Sequence, residues 1–100
     1  MASSANGDRQ FELKISGTIA EALRRLQRQA SREGRGKVFL SALRKAVEGL
    51  RRRATELGEP LYRLPALRMQ VRLVVIGPLV IDYAVSEDQP LVFFKSVKLL

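Results

Sequence analysis

Cysteine and histidine are both absent from this chain of 100 residues. Without cysteine there is no disulfide framework and no thiolate chemistry, a pattern typical of proteins in the reducing cytoplasm. Without either residue the usual zinc ligands are missing, and so is the imidazole that acts as the base of a catalytic triad. We therefore expect a cytoplasmic protein that uses no metal and no cofactor.

Long apolar runs are absent as well. None approaches the roughly 20 residues needed to cross a bilayer, and no signal peptide is visible, so we expect no membrane partner. The length suits one domain that buries about two-thirds of its unfolded surface. Residues 1–8 are small and polar and are predicted to form a disordered N-terminal tail, which leaves residues 9–100 as the domain.

Acidic residues are few, because 10 Asp and Glu stand against 18 Lys and Arg, for a net charge of +8. This excess favours an acidic partner, namely nucleic acid, the ribosome or an acidic protein segment. The alternative is a basic surface that keeps the protein in solution and has no specific partner.

The last third of the chain is predicted to fold into three consecutive strands separated by turn-forming residues. The strands are expected at about Leu67–Ile76, Leu79–Val85 and Leu91–Val97. An odd loop centred on Gly77 would pair Val71 with Tyr83 and align the apolar rows of the first two strands. An even loop would place Arg72 beside Tyr83 and mix the two faces, so we expect the odd register.

A four-residue loop, Glu87–Pro90, sets Tyr83 against Phe94 in the last strand and places Ser96 on the apolar face. A five-residue loop would bury Lys95 there instead. Burying an unpaired hydroxyl costs roughly 1–3 kcal/mol and burying a lone ammonium costs far more, so we expect the four-residue loop. The polar face of the resulting sheet carries Arg68, Gln70, Arg72, Asp82 and Lys95.

The first half of the chain supplies a cover for the apolar face. Alternation over Arg9–Ile15 predicts a strand at a sheet edge. Thr18 and Glu21 form the pattern of a capping box that opens a helix, and Gly34 is its natural end. A second helix is predicted over Lys37–Leu57, and the short connector between the two indicates an antiparallel hairpin.

The segment Glu59–Ala66 is predicted to be a linker, since Pro65 prevents regular strand pairing there. The order of elements is then β-α-α-β-β-β. It predicts an α+β domain in which the helical hairpin packs on one face of a mainly antiparallel sheet.

Both predicted helices are basic on their outer faces. The residues that we expect to bind nucleic acid are Arg24, Arg28, Arg32, Arg51 and Arg52. Phe and Tyr total six, so binding would be mainly to phosphate and strongly dependent on salt. The alternative for these arginines is a solvated helix face without a ligand.

Three parts of the chain add to this element order and basic charge. They are Phe11–Ser16 before the first helix, Leu57–Leu61 leading to Leu64, and Val80–Val85 followed by Leu91–Phe94. On these patterns, residues 9–100 resemble the RelE/ParE superfamily of bacterial toxins from type II toxin–antitoxin ("plasmid stabilisation") modules.

The resemblance implies one of two activities. RelE-like members cut messenger RNA in the ribosomal A site, whereas ParE-like members block DNA gyrase, and an antitoxin holds both inactive. This chain has Leu79 where the family commonly has Arg, and it ends at Lys98-Leu99-Leu100 without the family's C-terminal His-Arg or Tyr. These departures favour the ParE-like branch, or a member without activity.

If the protein is instead a metal-independent endoribonuclease, it must activate a 2′-hydroxyl, stabilise charge on phosphorus and protonate the leaving oxygen. The resemblance assigns such roles to charged residues on the open sheet face. The candidates are Arg68, Arg72, Asp82, Lys95 and Lys98. The alternative for Arg72, Asp82 and Lys95 is a charge ladder across three strands that contributes only to stability.

The expected register also leaves apolar side chains on the polar face. Phe93 with Val80 and Val97 predicts a patch that an antitoxin segment or a second copy of the chain covers. We therefore expect a toxin-like protein that a cognate antitoxin neutralises and that acts on gyrase or on translation. The alternative is a basic nucleic-acid-binding or oligomerisation module without catalytic activity.

Overall fold

The structure is a computed structural model that describes residues 10–100, so the predicted tail at residues 1–8 lies outside the described residues. Its elements are β1 (Glu12–Lys14), α1 (Gly17–Arg32), α2 (Gly36–Arg53), β2 (Glu59–Leu64), β3 (Met69–Ile76), β4 (Leu79–Ser86) and β5 (Leu91–Leu99). Two helices pack on a five-stranded sheet, so the predicted α+β class is confirmed. Neither helix of the described part is long and apolar enough to cross a membrane.

The strands lie in the order β1-β5-β4-β3-β2. Strand β1 pairs with β5 in parallel, and the other neighbours are antiparallel. The predicted edge position of the first strand is confirmed. The predicted linker Glu59–Ala66 is wrong, because most of it forms β2, which pairs with β3 around a bulge between Pro60 and Tyr62. Proline is tolerated in β2 because this strand is the other edge of the sheet.

Helix α1 begins after Ser16, whose Oγ accepts a hydrogen bond from the N–H of Ile19 at 3.2 Å. The predicted capping box that opens the helix at Thr18 is therefore wrong. Glu21 pairs with a neighbouring arginine instead of reaching back to the helix start. The helix ends just before Gly34, which adopts a φ of 75°, as the sequence predicts.

The hydrophobic core lies between the helices and the sheet. Each helix contributes one apolar stripe at helical spacing, and the sheet contributes the inward side chains of its central strands. The buried helix residues are Ile19, Leu26, Ala30, Phe39, Ala42, Ala46 and Leu50, and the main sheet residues are Val74, Leu79, Ile81, Tyr83, Val85, Val92 and Phe94. Fully burying a large apolar side chain contributes about 1.5–3 kcal/mol, so this layer dominates the stability.

The predicted odd register between the first two C-terminal strands is wrong. Ile76 pairs with Leu79, and a two-residue turn of Gly77 and Pro78 joins the strands, so Arg72 pairs with Tyr83. Gly77 has a φ of 56°. A positive φ at the first turn position followed by proline matches a type II′ turn, which suits the twist of a hairpin.

This register is possible because β3 carries apolar side chains on both faces. Val74 packs against the helices, while Val71 pairs with Ala84 on the outer face and is fully buried there. Hydrophobic alternation therefore did not select one face, and the turn geometry determined the register. As a consequence Gln70 and Arg72 lie on the helix-facing side, opposite to the predicted side.

The loop between β4 and β5 has four residues, and Tyr83 pairs with Phe94, as predicted. A β-bulge follows at Lys95, which the prediction did not include. Because of the bulge, Asp82 pairs with Ser96 and not with Lys95. Ser96 thereby leaves the apolar face, and Val97 packs against the core in its place.

Candidate functional site

The predicted polar face does not bring the catalytic candidates together. Arg72 lies on the helix-facing side, whereas Asp82 lies on the outer side between Leu73 and Ser96. Lys95 lies in the bulge. The predicted ladder of Arg72, Asp82 and Lys95 is therefore wrong, because the register places its members on different faces.

The remaining two candidates are exposed. Arg68 has a φ of 53°, and its Nε donates to Oδ2 of Asp88 at 2.8 Å. Lys98 lies on the outer face beside Val80. Within residues 10–100, no hydrogen bond or ion pair joins any two of the five candidates, and no group of acidic side chains in that range is placed to hold a metal ion.

Arg72 instead takes part in a structural contact between the two layers. Helix α2 ends at Arg53, four residues before the predicted end at Leu57. Beyond it the Tyr83 hydroxyl donates to the carbonyl of Ala54 at 2.9 Å and also contacts the carbonyl of Leu57, and Arg72 Nη2 donates to the carbonyl of Gly58 at 3.0 Å. Ala54 caps the helix, and Leu57 and Gly58 lie in the turn beyond it, so the two side chains donate to backbone carbonyls of the segment that follows α2.

We call Arg72, Tyr83 and the carbonyls that they contact the layer joint. Burial raises the pKa of the Tyr83 hydroxyl, and the nearby Arg72 cation opposes part of that rise. The hydroxyl therefore remains a protonated donor at neutral pH. Sequence reasoning missed the joint because it depends on the even register of β3.

The excess charge of the protein lies entirely on the helices. They contain ten Lys and Arg residues and two Glu residues, which leaves eight residues of each sign in the rest of the chain. All ten cations are exposed, and within residues 10–100 only Arg24 forms an ion pair, with Glu21 at 2.9 Å. They are Arg24, Arg25, Arg28, Arg32, Lys37, Arg44, Lys45, Arg51, Arg52 and Arg53.

The five arginines predicted to bind nucleic acid all belong to this set. Arg24, Arg28 and Arg32 follow one another at four-residue spacing on α1, on the side away from the core. Arg51 and Arg52 lie in the last turn of α2. The structure thus presents two clusters of exposed arginine, one along α1 and one at the end of α2.

A groove of about 620 Å³ runs along one flank of α2. Its apolar floor consists of Leu40, Leu43 and Val47, and its cationic rim consists of Arg44, Arg51 and Arg52. Gln10 and Glu48 complete the lining. Leu43 and Val47 remain partly exposed because the buried stripe of α2 is centred on Ala42 and Ala46. We call this feature the α2 groove.

The predicted patch of Phe93, Val80 and Val97 is divided between the two faces of the sheet. Phe93 pairs with Ala84 and Val80 pairs with Lys98, so both are partly exposed on the outer face. Val97 pairs with Ile81 on the inner face and packs against the core. The bulge at Lys95 causes this change, and it removes Val97 from the patch.

Comparison with known proteins gives no assignment. No family model, no curated protein and no solved structure matches this chain at a significant level. The fold and the surfaces described above therefore carry the evidence on function.

Proposed function

We propose that this protein is the toxin-like component of a type II toxin–antitoxin module, neutralised by a cognate antitoxin and directed against gyrase or translation. The observation that carries the proposal is the basic helical layer, with ten exposed cations and two carboxylates. The order of elements and the segments that resemble the RelE/ParE superfamily support the same assignment.

The charge distribution favours action by binding. Unpaired cations gathered on one layer create a positive potential that attracts acidic surfaces and accelerates association with them. Charges paired within the protein would not do so, and nine of the ten helix cations have no such pair within residues 10–100. The partners that fit are an acidic antitoxin and a target that is nucleic acid or a complex containing it.

The positions of the catalytic candidates give less support to RNA cleavage. Cleavage without a metal needs a proton acceptor, a proton donor and cations around one phosphate. Here Arg72 donates to the carbonyl of Gly58, while Asp82 lies on the other face of the sheet. The proposal therefore favours the ParE-like branch, whose members act by binding.

A second candidate function is direct binding of nucleic acid, and the arginine row on α1 favours it. Residues four apart on a helix are separated by about 6 Å along its axis, so Arg24, Arg28 and Arg32 offer three cations in line. Such contacts to phosphate lose affinity steeply as salt rises. An affinity that hardly changes over about a fourfold rise in salt, from 50 to 200 mM, would contradict this second function.

The test of the main proposal is inducible expression in a bacterial host, alone and together with the adjacent open reading frame. We expect growth arrest on its own and relief by a neighbour that encodes a short acidic protein. DNA supercoiling and protein synthesis, measured separately, identify the target. Unchanged growth and unchanged readouts at a high protein level would refute the toxic role.

A matched pair of variants tests whether the helix cations carry the effect. The double substitution Arg28→Gln and Arg32→Gln should weaken growth arrest, because it removes two exposed cations from α1. The control is Lys95→Gln with Lys98→Gln, which makes the same change in net charge on the sheet. Equal weakening by both doubles would show that net charge matters and that its location does not.

A further inference from the structure

We propose that the α2 groove is the docking site for an acidic amphipathic helix of a partner protein. The apolar side of that helix lies on the apolar floor, and its carboxylates pair with the cationic rim. The inference builds on the proposed function in one respect, because it takes this partner to be the antitoxin.

The floor has the spacing and exposure of a helix-docking surface. Leu40, Leu43 and Val47 occur at i, i+3 and i+7, so they follow one flank of α2. Leu40 is 44% exposed, although a leucine in a helix that packs on a core is usually buried. From Leu40 to Arg51 the groove spans about three helical turns, or roughly 17 Å, which accommodates a partner helix of similar length.

The rim selects the charge of the occupant. Its three arginines face only one carboxylate in the groove, Glu48, and none of them forms an ion pair within residues 10–100. A second copy of this chain would bring its own basic helices towards the rim, and like charges repel. Nucleic acid would satisfy the rim but leave the floor exposed. An acidic peptide with an apolar side matches both parts.

The wall of the groove is fixed before any partner binds. The N–H of Phe11 donates to the carbonyl of Arg51 at 2.7 Å, so the segment that contains Gln10 is held against the last turn of α2. A wall held by the backbone reduces the ordering that binding requires. The groove is therefore a formed feature of the folded chain.

The direct test uses a synthetic helical peptide with Leu on one side and Glu on the other, labelled for fluorescence anisotropy. The control peptide has the same composition in an order that mixes Leu and Glu around the helix. We expect saturable binding of the first peptide at micromolar concentration, and affinity at least tenfold weaker for the mixed one. Equal binding of the two peptides, or no binding of the first at 1 mM, would overturn the proposal.

Neighbouring residues provide matched variants. Leu40→Glu should weaken peptide binding about tenfold or more, whereas Val38→Glu, at a residue that is 52% exposed on α2 outside the groove, should change it less than twofold. Arg44→Gln should weaken binding severalfold, and Lys45→Gln at the adjacent exposed position should not. Equal losses within either pair would indicate general electrostatic attraction and would reject the groove.

Cell growth separates this inference from the proposed function. A folded Leu40→Glu variant, verified by circular dichroism, should still arrest growth alone but should escape relief by the antitoxin. If relief persists unchanged, the groove assignment fails while the toxin assignment stands. If neither the parent nor any variant arrests growth, but the peptide binds and the variants weaken its binding as expected, the toxin assignment fails and the groove remains a docking site. If the free protein dimerises and Leu40→Glu abolishes the dimer, the occupant of the groove is a second copy of the chain and the proposed peptide partner is wrong.

Discussion

The two helices and the rest of the chain differ in charge balance and in ion pairing. Outside the two helices the charges are equal in number, and four of the five ion pairs within residues 10–100 are found there. They include Arg63 with Glu87, in which Arg63 Nη2 donates to Glu87 Oε1 at 2.7 Å, and Arg68 with Asp88. On the helices only one of the ten cations, Arg24, forms an ion pair with a residue of the described part of the chain. The difference indicates that charge outside the helices supports the fold, whereas helix charge is available to a partner.

Keeping unpaired cations on one layer has a cost for folding. Like charges four residues apart on a helix destabilise it by about 0.2–0.5 kcal/mol per pair, and α1 contains two such pairs among Arg24, Arg28 and Arg32. The arginines in the last turn of each helix offset part of this cost, because cations are favourable at a helix C-terminus. A surface that is retained in spite of repulsion is consistent with a role in binding.

The two layers depend on each other at the layer joint, and the largest predicted effect lies there. Gly58 has a φ of 79°, and a Cβ added to it would press on the carbonyl oxygen of Leu73 and lie 2.9 Å from the Cβ of Val74. Gly58→Ala should therefore destabilise the protein by about 2–5 kcal/mol, from backbone strain and overpacking together. Urea unfolding followed by circular dichroism measures it.

Gly34→Ala is the matched control for that substitution. Gly34 has nearly the same φ, 75°, but a Cβ there would have no atom within 4 Å. Its cost should be only the strain of a left-handed residue, about 1–2 kcal/mol. If the two variants lose equal stability, the close approach between Gly58 and β3 does not matter, and the proposed dependence of the layers on this joint is wrong.

Removal of the Tyr83 hydroxyl should have the next largest effect. Tyr83→Phe keeps the buried ring but leaves the carbonyls of Ala54 and Leu57 without this donor. An unsatisfied buried acceptor costs about 1–3 kcal/mol, so we expect a loss in that range. Hydrogen exchange at the end of α2 should accelerate in the variant. A loss of stability without faster hydrogen exchange at the end of α2 would show that the hydroxyl stabilises another part of the fold.

Burial of the same hydroxyl predicts a dependence of stability on alkaline pH. Its pKa is raised by burial, so above the usual value near 10 the unfolded chain loses this proton while the folded chain keeps it. The stabilisation from this hydroxyl is therefore fully present below pH 10 and is lost as the pH rises through the pKa of the folded state. The free energy of unfolding, measured from pH 8 to 11, should fall more steeply in the parent than in Tyr83→Phe. Parallel curves would contradict the prediction.

Much of this fold is predictable from local signals in the sequence. The hairpin of helices follows from apolar residues at helical spacing, and the end of α1 follows from Gly34. The three C-terminal strands and the pairing of Tyr83 with Phe94 follow from alternation and loop length. Each of these depends on residues close together in the chain, where spacing is sufficient to choose one structure.

The errors arose where two long-range arrangements had similar patterns. Strand β3 has apolar side chains on both sides, so the Gly77-Pro78 turn and not the hydrophobic pattern determined its register. The alternation predicted Arg72 on the polar face because the odd loop aligns the apolar rows, yet Arg72 lies on the inner face, where the carbonyl of Gly58 accepts its hydrogen bond. The bulge at Lys95 likewise has no strong local signal. The candidate site depended on these pairings, whereas the basic helix surface did not.

The smallest predicted effects compare a paired cation outside the helices with a cation of the helical layer. Arg63→Gln and Arg28→Gln remove one exposed cation each, the first from an ion pair outside the helices and the second from the unpaired set on α1. Arg63→Gln should lower stability slightly at pH 7, because Glu87 loses its partner. Arg28→Gln should leave stability within about 0.5 kcal/mol of the parent, or raise it in low salt by relieving repulsion.

The acid range distinguishes these two substitutions further. Arg63 holds the pKa of the Glu87 carboxyl below its usual value of 4.5, so the stabilisation from this pair is present above that pH and is lost as the pH falls through the lower, folded value. The difference between Arg63→Gln and the parent should therefore shrink towards pH 2, while the effect of Arg28→Gln should not follow this carboxyl. Thermal unfolding at several pH values measures both. If Arg28→Gln destabilises as much as Arg63→Gln at pH 7, the helix cations also support the fold, and they are not reserved for a partner.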